Sequence, residues 1–351
     1  MFEELEIEEL QPDTLKDTAF TPPVSLRCVT GRGLRSYLYV REGVLCASPG
    51  ITSVLSETAT ASSQRGILAW RERVGKEFAD KWTQERCGFG TFMHGQTCLY
   101  DKQGWFDFDT VKDETLSFLV SHPLPFSVNP FAWAREIKED VAAWIQWQQD
   151  VNAETIATEL PLLSRRYKIA SRIDWFGWID IGIEQYYATG KQAKQPKGDV
   201  QRVLAIVDKK SSRKDFNNPD HKLQVLFYDW LLRENFKSLR GQEIILANWS
   251  PRGFKTVPNY KFTPHLLMPK SLEWNNEKLR EATEDLTSRI AKFHCENRMD
   301  RTHKEISGRY QAGTPISEHI MNTTLLSQLA TQYGATLDTA ITANEEEEEN
   351  E

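Results

Sequence analysis

Residues 202–232 read RVLAIVDKKSSRKDFNNPDHKLQVLFYDWLL, and they decide the fold. Val203 to Val207 is a run of β-branched and aliphatic residues bounded by charge, the pattern of a buried strand. The run leads straight into Asp208-Lys209-Lys210, so a carboxylate and two amines sit at the strand's end, where a cleft can open. Alternation along a strand points Asp208 and Lys210 to the same side. From Asp220 to Phe236 the apolar residues Leu223, Leu226, Phe227, Trp230 and Leu231 recur at helical spacing. Pro219 and Asp220 suit the start of that helix. Gln224 and Tyr228 are four apart and share a face. A surface strand end with a solvated lysine pair, followed by an ordinary amphipathic helix, would carry the same text.

Upstream, residues 158–183 read TELPLLSRRYKIASRIDWFGWIDIGI. Ile169, Ser171 and Ile173 fall on one parity. Arg172, Asp174, Phe176, Trp178 and Asp180 fall on the other. The pattern predicts a strand, a bend at Gly177 and a second strand.

Asp-x-Lys at a strand end followed by Gln-x-x-x-Tyr on a helix resembles the PD-(D/E)XK nuclease superfamily, in its RecB-like branch, which includes the mitochondrial genome-maintenance exonuclease. Three further segments carry the resemblance. Pro49 to Leu55 is similar to the family's opening Pro-Ser-Val-Thr segment. Leu68-Ala69-Trp70 is similar to its Leu-x-Trp helix. Gly90-Thr91-Phe92-Met93-His94 is similar to its Gly-Thr-x-x-His. Glu159, Ser164 and Lys168-Ile169-Ala170-Ser171-Arg172-Ile173-Asp174 then match the text before the family's first metal-binding Asp, with Ser171 in place of the usual Gly. Read alone, residues 88–95 are a glycine-punctuated turn into a helix, with a structural His.

The resemblance implies the chemistry. Phosphodiester hydrolysis needs a nucleophilic water near neutral pH and a counter-charge for the transition state, and a divalent cation provides both. Hard cations take carboxylate oxygens, and a neutral imidazole beside them suits manganese and is tolerable for magnesium. The implied ligands are His94, Asp174, Asp208 and the backbone carbonyl of Lys209, around Mg2+ or Mn2+. Lys210 is implied to orient the attacking water and stabilise negative charge, with Gln224 and Tyr228 facing the site from the helix. Glu159 is implied to steady His94 or a water from behind, and Asp180 is the alternative to Asp174 as first ligand. The gap of 33 residues between Asp174 and Asp208 exceeds the family's usual one. It suggests an inserted hairpin tip at Thr189–Asp199, with Lys191, Lys194 and Lys197 as DNA-backbone contacts or simply solvated.

Composition is ordinary for a soluble protein, 40% hydrophobic and 26% charged over 351 residues. No run is long enough to span a bilayer. The five cysteines (28, 46, 87, 98 and 295) lack metal-knuckle spacing and suggest a reducing compartment. Some relatives hold an iron–sulfur cluster, but Cys295 is the only cysteine beyond the nuclease motifs, so no cluster is expected. The net charge of −7 sits at the ends. Residues 1–20 hold seven acids and one lysine, and residues 345–351 hold six glutamates. The body between is mildly basic, compatible with a phosphate-binding groove.

The expected architecture is α/β, a restriction-endonuclease-like mixed sheet flanked by helices. Residues 1–22 are expected as a mobile acidic leader and 23–268 as the nuclease domain. Within it, 50–150 is helical and 158–268 forms the catalytic sheet. Residues 269–334 are a helical extension and 335–351 a disordered acidic tail. Local expectations include a hairpin at 26–46, one helix over 64–86, a helix over 131–150, strands at 243–249 and 260–267, and helices over 271–296 and 316–333. Among Trp133, Trp144 and Trp147, one or two exposed indoles would stack on unpaired bases. The expected function is a metal-dependent DNA exonuclease acting on single-stranded ends, in a bacterial or phage-infected cytoplasm. The acidic tail is a candidate contact for a replication or recombination protein. Alternatives are an endonuclease of a defence or mobile-element system, and a non-catalytic DNA-binding module on the same fold.

Overall fold

A computed structural model describes residues 6–31, 34–41, 44–124, 126–182, 200–213, 218–254, 256–268, 273–310 and 336–337. In chain order these form strands β1 (Glu6–Leu10), β2 (Thr14–Leu15), β3 (Leu26–Gly31), β4 (Leu34–Arg41) and β5 (Val44–Pro49). Helices α1 (Ile51–Glu57), α2 (Ala61–Val74), α3 (Lys76–Gln103), α4 (Val111–Ser121) and α5 (Pro130–Asp150) follow. Then come β6 (Glu154–Ser164), β7 (Ile169–Gly182), β8 (Val200–Lys209), α6 (Pro219–Asn235), β9 (Ile244–Arg252), β10 (Asn259–Pro264), α7 (Asn276–Tyr310) and β11 (Thr336–Leu337). The fold is mixed α/β, as expected.

The main sheet runs β10-β9-β8-β7-β6-β2. Strands β6, β7 and β8 are an antiparallel meander, while β8 and β9 are parallel. A parallel pair needs a crossover, and α6 supplies it. Alternation along β8 explains the layering. Leu204 and Ile206 pack with α1, α6 and α7 on one face. Val203, Ala205 and Val207 pack with α3 and α5 on the other. Asp208 therefore leans toward α6, and Lys209 toward α3 and α5. The helices start where the sequence caps them. Asn218 accepts from the Asp220 amide ahead of Pro219, and Asn129 accepts from Phe131 and Ala132 ahead of Pro130.

Several expectations are corrected. From residue 6 on, the acidic leader is not a loose arm. β1 pairs with β3, β2 pairs with β6, and Leu10 and Phe20 are buried. Leu10 and Phe20 anchor an otherwise charged segment whose strands add to open sheet edges. Where a hairpin is expected over 26–46, β3, β4 and β5 form a three-stranded antiparallel sheet, and the bridge from Gly50 to Ala170 ties it to β7. The helix expected over 64–86 is two helices, parted at Gly75, whose φ of 86° an L side chain rarely adopts. The turn expected at 88–95 is the middle of α3, because Phe89, Phe92 and Met93 bury one helical stripe. β7 passes straight through Gly177. A Cβ there would lie 2.3 Å from the Glu154 carbonyl and 2.7 Å from the Trp175 ring, so glycine marks close approach rather than a bend.

Strict alternation in β7 also fails at Asp174. Ile169, Ile173 and Phe176 share one core, while Trp175 and Ile179 lie in the other. Opposite Asp174, Glu159 has φ 47° inside β6 and interrupts the pleat. The hairpin tip and its lysines 191, 194 and 197, the helix expected at 316–333 and the run of glutamates 345–351 lie outside the described residues. No helix among the described residues is long and apolar enough to cross a membrane.

Candidate metal-binding site

The C-terminal end of β8 meets α3, α6 and the β6–β7 ribbon, and His94, Glu159, Asp174, Asp208, Lys210, Gln224 and Tyr228 converge there. His94 Nδ1 lies 3.3 Å from Glu159 Oε1 and 3.7 Å from Asp174 Oδ2. His94 Nε2 is 3.1 Å from the Lys209 carbonyl, and the Lys209 amide donates to Asp174 Oδ2 at 2.7 Å. One backbone unit thus steadies both the imidazole and the carboxylate. Asp208, 1% exposed, receives Lys210 Nζ at 2.7 Å on Oδ2 and Gln224 Nε2 at 2.8 Å on Oδ1. Lys210 Nζ also donates to Gln224 Oε1 at 2.9 Å, and Gln224 Nε2 lies 2.6 Å from the Tyr228 hydroxyl. The helical spacing of Gln224 and Tyr228 and the strand parity of Asp208 and Lys210 are what make this ring possible.

The side-chain donors that cluster most tightly are not the full set implied. Among the described residues, the donor atoms that approach within 4.8 Å of one another belong to His94, Glu159 and Asp174. Glu159 contacts His94, as expected, and its carboxylate also belongs to that cluster. The Lys209 carbonyl lies beside the cluster, 3.1 Å from His94 Nε2, and Asp208 is engaged by Lys210. Asp180 is excluded. It pairs with Arg202 at 3.0 Å and takes Asn152 Nδ2 at 2.9 Å, six residues from Asp174 along an extended strand, or about 20 Å. Trp133, Trp144 and Trp147 are all buried and offer no stacking face.

Electrostatics follow from this crowding. Burial alone would push His94 down, but Asp174 and Glu159 outweigh it and hold the imidazole above its ordinary value. Burial likewise opposes ionisation of Glu159, yet the bond to His94, with Lys209 and Arg172 nearby, brings it down to about 2. Asp174 goes the other way. Burial, reinforced by Asp208 and Glu159, lifts it to about 6 despite His94. Glu159 Oε1 and the Lys209 carbonyl are both acceptors, so protonation of His94 on both nitrogens satisfies both contacts.

Sequence reasoning missed four partners. Asn248, in register with Asp208 on β9, donates to Asp208 Oδ2 at 2.5 Å. Its signal was a lone amide in the apolar strand Ile244–Trp249. His265 bonds Asn248 in turn. Arg172 stands 3.5 Å from Glu159. The Lys209 side chain is fully buried, donating to Thr97 Oγ1 at 3.0 Å and Cys98 Sγ at 3.3 Å, with Asp101 at 3.9 Å and the Trp144 ring at 5.2 Å. The apolar parity of position 209 pointed inward. Nothing local announced an acid to receive it.

Compared with known proteins, the chain matches no family model and no curated sequence.

Proposed function

We infer that the chain is a metal-dependent deoxyribonuclease of the PD-(D/E)XK type, an exonuclease working on single-stranded DNA ends in replication, recombination or repair. One observation carries the reading. Asp208, Lys210 and Gln224 close a hydrogen-bonded ring, with Tyr228 bonded to Gln224, beside His94, Glu159 and Asp174. A purely structural strand end has no need of this set.

The donors suit a divalent cation, with one imidazole nitrogen from α3 and two carboxylate oxygens from β6 and β7 gathered beside the end of β8. His94, Glu159 and Asp174 would hold Mg2+ or Mn2+, with Asp208 adjoining. When bound, such an ion supplies Lewis acidity toward the scissile phosphate and acidifies water. The chain's own groups supply the rest. Lys210 is partly exposed, on a flexible stem, and its ammonium neutralises phosphate charge and orients water. Gln224 donates to Asp208 and accepts from Lys210, so it fixes the distance between them. Tyr228 is buried, and burial together with Asp208 keeps its phenol protonated well beyond the usual range. It therefore acts as a fixed hydroxyl, not a base. The mildly basic body favours a polyanion.

The test is digestion of end-labelled linear DNA, single- and double-stranded, beside circular DNA, with Mg2+ or Mn2+. The reading expects nucleotide release from linear single strands and intact circles. Cut circles would favour an endonuclease. No cleavage of any substrate with either ion would remove the nuclease reading.

A further inference from the structure

We propose that Asn248, locked by His265, is a positioning residue that keeps Asp208 aimed while Lys210 moves between Asp208 and substrate; the inference rests on the nuclease reading above. Strands β8 and β9 are parallel and in register, so Asp208 and Asn248 stand side by side. Asn248 Nδ2 donates to Asp208 Oδ2, the oxygen that also receives Lys210. An amide has a donor end and an acceptor end. Turned over, it would set its oxygen against a carboxylate.

His265 prevents that rotation. Its Nε2 lies 2.5 Å from Asn248 Oδ1, and its own backbone N–H donates to the Leu246 carbonyl at 2.8 Å. Since Asn248 turns its nitrogen to Asp208, it presents its oxygen to His265. The proton must then sit on His265 Nε2. Burial, with His221 nearby, pushes His265 down to about 4, so the ring is neutral and Nδ1 is bare. The Asp208 carboxylate thus dictates a tautomer two side chains away, and the tautomer in turn fixes the amide.

The consequence concerns which donor can leave. Asp208 is held by Gln224 from α6, by Asn248 from β9 and by Lys210. The first two are short amides on regular elements. Lys210 alone combines a charge with a long stem and 25% exposure. When a phosphate attracts the ammonium, Asp208 loses one donor and keeps two, so its direction survives. Without the His265 lock, Asn248 can rotate, and Asp208 is left with Gln224 alone. Supporting contacts of this kind are worth roughly 10- to 100-fold in activity or metal affinity.

The experiment compares full-length wild type, His265→Phe and His265→Gln in metal-dependent hydrolysis of single-stranded DNA. In parallel, 15N-histidine NMR of the wild type reads the tautomer near neutral pH. We expect His265→Phe to lower kcat by about 10- to 100-fold with KM little changed. His265→Gln, whose amide restores a donor, should recover most of the loss. The spectrum should show a neutral, Nε2-protonated ring. An Nδ1-protonated or cationic His265 overturns the inference even if His265→Phe fails to fold. So does a His265→Phe of normal kcat, or a His265→Gln as impaired as His265→Phe, in an active wild type. An inactive wild type overturns the nuclease reading and this inference with it.

Discussion

His94 Nδ1 and Glu159 Oε1 lie 3.3 Å apart across 65 residues of chain, and the contact depends on a backbone outlier. Glu159 has φ 47° in the middle of β6. A non-glycine residue in that region costs of order 1–3 kcal/mol and persists only where its surroundings impose it. Here the compensation is electrostatic, from His94 on one oxygen and Arg172 on the other.

Replacing Glu159 separates strain from chemistry. Glu159→Gly and Glu159→Ala both delete the carboxylate, but only glycine accepts the left-handed backbone freely. Glu159→Gly should therefore be the more stable of the two by about 1 kcal/mol, read from urea denaturation. Both should bind cation far more weakly than wild type.

The pH dependence without cation has a definite shape. His94 is raised, so its contribution to stability is complete below its unfolded value of about 6.5 and is lost as pH climbs through its folded value. Glu159 is lowered to about 2, so its contribution is present above about 4.3 and is lost as pH falls toward 2. Their joint contribution is fullest in the window between. Asp174, raised to about 6, adds a penalty that grows as pH rises from about 4 to 6. Melting temperatures in chelator should show wild type gaining most over Glu159→Gln between about pH 4.3 and 6.5. Cation affinity should rise with pH until His94 is neutral in the free protein.

The buried cation at Lys209 predicts asymmetric mutational costs. Burial disfavours its charge, but Cys98, Asp101 and Glu159 outweigh that and raise its pKa. Asp101 also accepts from Trp144 Nε1 at 3.0 Å and from Gln148. Asp101→Ala strands a buried ammonium and should cost roughly 3–5 kcal/mol. Lys209→Met combined with Asp101→Asn removes both charges and keeps an acceptor for Trp144. It should lie much closer to wild type in chemical denaturation.

Lys210 predicts the opposite balance of activity and stability. Lys210→Met should abolish cleavage, a loss of at least about 100-fold, while the fold persists, because Gln224 and Asn248 still satisfy Asp208. Steady-state kinetics beside thermal melting checks both halves.

What was legible in the sequence was local. Val203–Val207 and the stripe Leu223, Leu226, Phe227 and Leu231 announce β8 and α6, because burial on one face repeats at the element's own period. Asp208, Lys210, Gln224 and Tyr228 inherit their directions from those periods. The direction of Glu159 was not legible from periodicity, because its positive φ breaks the alternation of β6. Asn248 was invisible because its role is set by register between two strands joined through α6. The buried Lys209 needs an acid more than a hundred residues away. The glycines of α3 misled for a related reason. Gly90 lets the helix approach Ser211, where a Cβ would meet Oγ at 3.2 Å, and such closeness looks the same in sequence as a turn.

The most direct test of the site is a Mn2+ titration of the full chain at mildly alkaline pH, by calorimetry or electron paramagnetic resonance. It should include Asp174→Asn, Glu159→Gln and Asp180→Asn. A cation site at His94, Glu159 and Asp174 predicts saturable binding by wild type and by Asp180→Asn, and its loss in the other two. No saturable binding by wild type, or binding undiminished by Asp174→Asn, would contradict it.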